Sequence, residues 1–260
     1  MSKNTFSLIT VFSERSNNIL GNVSAVVRMD DSISTENMQL IANDLNQPAT
    51  TFIWQDDDKW NIRWFAPDAE IPLCGHGTMA AVALFHSLGK SIPTFVYTRG
   101  QVGGFAENDK IFSELNKGDF YDSPTPEGLE EALGVEIVEH YESTDKNIVE
   151  LKSEKDLQEM QPNFDALKKL QPFGYAVTAP GDQVDFVSRT LVPKVQQLED
   201  HATGSSHTVL VPFWSKRLSK NSLSAQQLSR RGGRFECVLE GEKVILGGAY
   251  EVIGEGNILI

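Results

Sequence analysis

Apolar and polar residues alternate over residues 5–12, which predicts a strand, and residues 22–28 read as a second with Gly21-Asn22 at the turn before it. Over residues 34–45 the period changes. Met38, Ile41, Ala42 and Leu45 recur at helical spacing, and Ser34 or Thr35 is placed to cap the first turn. Residues 50–54 and 60–65 read as a strand pair across the acidic turn Asp56-Asp57-Asp58-Lys59. Residues 78–88 are almost wholly apolar, which predicts a helix buried on every side that stops at Gly89. Short strands follow at 95–98 and 104–106, with amphipathic helices at Leu129–Leu133 and 164–170. The Gly-rich run 100–104 lies between strands and reads as a hairpin turn. Residues 119–131 are polar, hold Pro124 and Pro126, and show little periodicity. They predict a boundary between a lobe of residues 1–118 and one of residues 119–260, with a last strand able to return to the first lobe.

The pattern also repeats. Arg63-Trp64-Phe65-Ala66-Pro67 is echoed by Arg189-Thr190-Leu191-Val192-Pro193, both of the form R-x-[FL]-x-P. Each is followed by a Gly-containing turn leading into an apolar stretch: Leu73-Cys74-Gly75-His76-Gly77-Thr78, and Asp200-His201-Ala202-Thr203-Gly204-Ser205. Aligned on Gly77 and Gly204, Cys74 faces His201, Gly75 faces Ala202 and His76 faces Thr203. A third echo sets Arg99-Gly100 against Arg231-Gly232. Three matches in one order predict two similar α+β lobes, each running a strand through a Gly-rich turn into a buried helix. A helix N-terminus presents N–H groups and positive partial charge, so each turn is suited to a carboxylate. Two such termini facing one cleft would clamp a small acid and leave Cys74, His76, Asp200 and His201 around its α-carbon. The competing reading is two ordinary helix caps, with Gly for backbone freedom and Asp or Ser as caps.

Charge narrows the partners. The 260 residues hold 36 acidic and 23 basic side chains, a net charge of −13. Such a chain is a poor match for nucleic acid or an anionic membrane surface. No apolar run is long enough to span a bilayer, and the N-terminal residues lack the continuous apolar core of a signal peptide. The expectation is a cytoplasmic protein. Two cysteines, Cys74 and Cys237, are too few for a disulfide framework or a structural zinc site, and no metal or nucleotide motif is present. Cys237 lies in an alternating strand and reads as core. His86 reads as either on the polar face of its helix or packed, His140 as surface, and His207 as able to line the cleft.

With these residues in view, the chain resembles the phenazine-biosynthesis PhzF-like family of the diaminopimelate epimerase-type fold. The likeness covers nearly the whole chain and rests on Gly21-Asn22, Trp64-Phe65-x-Pro67, Glu70-Ile71-Pro72-Leu73-Cys74-Gly75-His76-Gly77-Thr78, Ser188-Arg189, Glu199-Asp200-His201-Ala202-Thr203-Gly204-Ser205 and Arg231-Gly232-Gly233. The resemblance implies an α+β fold of two similar lobes, each a β-barrel-like antiparallel sheet wrapped round a central helix. It implies a homodimer, no cofactor, and proton transfer at carbon of a small carboxylate in the cleft between the lobes. His76 and Asp200 match polar active-site residues of the family, Gly75 a backbone substrate contact and Ser205 a side-chain contact. Gly77, Thr203 and Gly204 fall in the same carboxylate-binding turns.

One departure stands out. The family's usual general base is a Glu in a segment N-x-S-E-[ST]-x-F, which here reads Asn46-Gln47-Pro48-Ala49-Thr50-Thr51-Phe52, so Ala49 replaces the Glu. Leu73-Cys74-Gly75-His76-Gly77 is also similar to the first catalytic motif of proline racemase-like and diaminopimelate epimerase-like enzymes, in which Cys is one of two acid/base thiols. A thiol at a helix N-terminus is favoured as thiolate and can act as a base. The second thiol of those enzymes is absent here, and His201 is read at its position. Two functions follow: an isomerase or epimerase using Cys74, His76, Asp200 and His201, or a small-molecule-binding or regulatory protein whose catalysis went with the Glu.

Overall fold

The structure is a computed structural model describing residues 4–258. The chain divides into two compact units. Of the described residues, the first comprises 4–15, 20–114 and 247–258, and the second 16–19 and 115–246.

In the first unit the strands are β1 (Asn4–Val11), β2 (Asn22–Met29), β3 (Ala49–Asp56), β4 (Lys59–Phe65), β5 (Glu70–Ile71), β6 (Phe95–Tyr97), β7 (Gly100–Val102) and β8 (Phe105–Glu107), and β9 (Lys110–Asn116) begins in it and ends in the second. The helices are α1 (Thr35–Leu45) and α2 (Gly75–Ser87). Ser34 caps α1 by accepting from the Asn37 N–H. β1 pairs antiparallel with β2, β2 parallel with β3, and β3 antiparallel with β4. β4 then pairs antiparallel with β5 and parallel with β6, and β6 antiparallel with β7. α2 packs on β1, β2, β3 and β8, and every residue from His76 to Phe85 is buried. Its all-round apolarity is therefore that of a core helix.

The second unit holds β10 (Phe120–Asp122), α3 (Leu129–Leu133), β11 (Glu139–Ser143), β12 (Asn147–Glu150), α4 (Glu154–Glu159), α5 (Phe164–Leu167), β13 (Tyr175–Pro180), β14 (Phe186–Leu191), β15 (Glu199–Asp200), α6 (Gly204–Leu218), β16 (Ser222–Gln227) and β17 (Gly233–Glu240). Its pairings reproduce the first unit's. β11 is antiparallel to β12, β12 parallel to β13, and β13 antiparallel to β14. β14 is antiparallel to β15 and parallel to β16, and β16 antiparallel to β17. The weak sequence echo thus reports a duplicated strand order. The final strand, β18 (Lys243–Ile258), runs from the second unit into the first, where residues 250–258 pair with β1 around a bulge at Leu8/Ile9.

The α+β class holds, while the sheets are mixed rather than wholly antiparallel. Parallel neighbours need a crossover, and the helices supply it: α1 between β2 and β3, α2 between β4 and β6, α4 and α5 between β12 and β13, α6 between β14 and β16. The Gly100 run is also corrected. Tyr97 pairs with Gly100, so Thr98-Arg99 makes the turn and Gly100 begins β7.

The echoed arginines do the same work in both units. Arg63 on β4 makes a two-pronged ion pair with Glu70 on β5, Nε–Oε1 2.8 Å and Nη2–Oε2 2.7 Å. Arg189 on β14 pairs identically with Glu199 on β15, at 2.8 and 2.9 Å. Each fork fixes the short strand that feeds the next helix. Among the described residues, no helix is long and apolar enough to cross a membrane.

Candidate active site

The equal strand order fixes which residues correspond at the two helix starts. Arg189 lies 126 residues after Arg63, but Gly204, first in α6, lies 129 after Gly75, first in α2. The difference of three arises between the strands, where residues 192–198 replace the shorter 66–69. The alignment on Gly77 and Gly204 is therefore corrected. Cys74 corresponds to Thr203, Gly75 to Gly204, His76 to Ser205, and Gly77 to Ser206. His201 is not the counterpart of Cys74.

At the α2 start, Cys74 is the N-cap and its Sγ accepts from the Gly77 N–H at 3.4 Å. The His76 ring lies in the same turn, with Nδ1 3.4 Å from Sγ. Thiol and imidazole are both buried and within reach of a shared proton. Gly77 is needed for space. A Cβ there would stand 2.6 Å from the Thr51 hydroxyl and 2.6 Å from Trp64 Cδ1. In the second unit Thr190 takes the place of Trp64, and the freed volume holds Ser206, bonded to Thr190 at 2.8 Å. The fourth helix residue bonds the cap carbonyl in both: Thr78 Oγ1 donates to Cys74 O at 2.8 Å, and His207 Nδ1 lies 2.8 Å from Thr203 O.

Ala49 shares the Thr51 face of β3 by the two-residue period of a strand. It is fully buried, and its carbonyl accepts the Ser24 hydroxyl. A methyl group thus stands where the PhzF-like resemblance expects a carboxylate.

The α6 start is built on Asp200. One carboxylate oxygen accepts the His201 N–H and the other the Thr203 hydroxyl, both at 2.8 Å. The same Thr203 oxygen accepts from Gln227 Nε2 at 3.2 Å, and no side chain caps α6. The buried Gln227 locks the turn, accepting the Thr203 N–H at 2.9 Å and donating to Asp200 O at 2.7 Å. Burial lowers the His201 pKa below its usual value, with Arg231 and Arg230 adding to the effect against Asp200 and Glu199. Its imidazole is neutral near pH 7 and able to accept a proton. His207 is fully buried against Phe235, ring centroids 4.0 Å apart, and does not line an opening. His140 is likewise buried rather than surface, its Nδ1 3.3 Å from Ser123 O and its Nε2 3.3 Å from Asn147.

Of the residues singled out from sequence, Cys74, Gly75, His76 and Gly77 gather at one helix start, and Asp200, His201, Thr203, Gly204 and Ser205 at the other. Two were missed. Gln227 ends a strand without a local motif. Lys146 reads in sequence as half of a solvated Asp-Lys turn, yet its Nζ donates to Ser205 Oγ at 2.9 Å. Among the described residues, no group of three or more His, Cys, Asp or Glu is placed to hold a metal ion.

The cysteines differ in setting. Cys237 is 1% exposed and its thiol is pushed far above the usual range by burial, with Asp185 and Glu236 adding to it, whereas Cys74 is 6% exposed with a backbone N–H and an imidazole against its sulfur. Iodoacetamide is expected to label Cys74 well before Cys237 in the folded protein. Equal, slow labelling by peptide mapping would leave Cys74 an inert core thiol.

Known proteins are similar to this chain over nearly its whole length. An uncharacterized isomerase of Pseudomonas aeruginosa is 37% identical over 257 residues, covering 97% of each chain. A PhzF-family phenazine biosynthesis protein of Enterococcus faecalis superposes with a TM-score of 0.92 at 33% identity, covering all of both chains. A predicted epimerase of Pseudomonas aeruginosa shares the fold, TM-score 0.73 at 21% identity over 99% of each chain. The first of these relatives supports an isomerase reading. The phenazine biosynthesis-like protein family, PhzC-PhzF, matches residues 9–259, and the chain belongs to that family.

Proposed function

We propose that the protein is a cofactor-independent isomerase or epimerase that moves a proton at carbon of a small carboxylate substrate. The observation that carries this reading is the Cys74–His76 contact in the first turn of α2, an acid/base pair held 3.4 Å apart. In the reaction one group takes the proton from carbon and another returns one to carbon. Cys74 and His76 form the first couple. His201, neutral and held by the Asp200 turn, is the second proton carrier. The turns at Gly75–Gly77 and Thr203–Ser205 hold the carboxylate through backbone N–H groups and the Ser205 hydroxyl.

The buried methyl of Ala49 favours a second reading, a binding protein whose catalysis went with the missing Glu. Deuterium incorporation separates the two. The wild type, incubated in deuterium oxide with a panel of small amino and cyclic acids, is expected to place deuterium on carbon, read by mass spectrometry. Cys74→Ser is expected to abolish it. Ala49→Glu is expected to add little or to inhibit, because a new carboxylate on the Thr51 face disfavours a thiolate nearby. A gain of exchange in Ala49→Glu alone would show an isomerase that had lost its base. No exchange in any of the three would establish the binding reading.

A further inference from the structure

We propose that Lys146 is a positioning residue that makes the Ser205 hydroxyl a dedicated hydrogen-bond donor, so that the α6 end of the site selects a carboxylate over its neutral amide. This rests on the functional reading above, in which Ser205 contacts substrate.

Lys146 lies in the turn between β11 and β12, and Ser143 fixes that turn by donating to Lys146 O at 2.6 Å. Its side chain is only 7% exposed. The stem lies beside Gly174, where a Cβ would stand 3.5 Å from Lys146 Cγ. Its Nζ donates to Asp145 Oδ2 at 2.6 Å and to Ser205 Oγ at 2.9 Å.

An ammonium has three protons and no lone pair. Ser205 Oγ must therefore accept from Lys146, and the hydroxyl's own proton is left for another acceptor. No described residue takes that proton, nor the third Nζ proton. Ser205 is exposed at the second position of α6, whose first turn has no side-chain cap. Hydroxyl, ammonium and first-turn N–H groups are all donors, a set that suits an anion. The protein's net charge of −13 works against anion binding in general. The buried cation offsets it at this one place. Asp145, a third exposed and open to water, offsets only part of the Lys146 charge.

The test uses benzoate and its neutral isostere benzamide, titrated into the whole protein and followed by NMR and thermal shift. The wild type is expected to prefer benzoate. Lys146→Met is expected to weaken benzoate about 10- to 100-fold and leave benzamide unchanged, with Lys146→Arg restoring most of the preference. A purely structural lysine would give equal losses for both probes and no rescue of the preference. If Lys146→Met fails to fold, Ser205→Ala decides, and it too is expected to lose preference for benzoate. Unchanged preference in either variant, or none in the wild type, overturns the proposal. A wild type that prefers benzoate but exchanges no deuterium would sink the isomerase reading and leave the role of Lys146 standing.

Discussion

His76→Asn is expected to slow hydrogen exchange at carbon by about 10²- to 10⁴-fold, roughly 3–5 kcal/mol of barrier, the range for loss of one well-placed acid/base group. Asparagine fits the volume but neither gains nor loses a proton at neutral pH. The Cys74 sulfur would keep its bond from the Gly77 N–H and lose its proton-exchanging neighbour. The helix start should survive, because Thr78 and Cys74 make the turn without the imidazole. Thermal unfolding close to wild type together with the loss of exchange is the expected pair of results. Exchange within a few-fold of wild type would remove His76 from the reaction and leave it a buried cap neighbour.

The second large effect is on stability. Burial pushes the His207 pKa down to about 4 from an ordinary value of 6.5. The unfolded chain takes up this proton first as acid is added. The stability contributed by keeping His207 neutral is therefore complete above about pH 6.5 and is lost as pH falls towards about 4. From about pH 7 to about pH 5 the loss from this one residue is about 2 kcal/mol. His207→Thr is the informative variant, because Thr78 at the equivalent place in α2 already bonds the cap carbonyl. It is expected to cost about 1–3 kcal/mol at neutral pH through the cavity left beside Phe235 and Phe186. It should also flatten the acid dependence. Denaturant titrations of both proteins at the two pH values measure this. Equal slopes with pH would show that His207 is not the group responsible.

The parts of the fold legible in sequence are those the backbone dictates. Alternation gave β1, the turns at Gly21-Asn22 and Asp56–Lys59 set off β2 to β4, the unbroken apolar run gave α2, and Arg63 and Arg189 revealed the duplication because each must grip a carboxylate on the next strand. Motif spacing was misleading across 66–69 and 192–198, where three extra residues cost the strand pairing nothing and shift every position after them. Lys146, Gln227 and His140 were illegible for another reason. Each is buried by contacts distant in sequence, and a short window around any of them looks like a polar turn or strand end. The Glu missing at Ala49 was plain from the motif, but the crowded Thr51–Trp64–Gly77 contact that surrounds the same strand face was not.

The return of β18 orders events during synthesis. In the first unit β1 lies between β2 and β18, and its partners on β18 are residues 250–258. While the ribosome is still translating the second unit, β1 can pair with β2 alone. One side of an eight-residue strand then stays open, its N–H and C=O groups ready to join any extended segment nearby. A nascent chain in this state is most exposed to mispairing with a neighbouring copy on the same message. It stays so until residues 243–258 have left the exit tunnel and β18 has closed the edge.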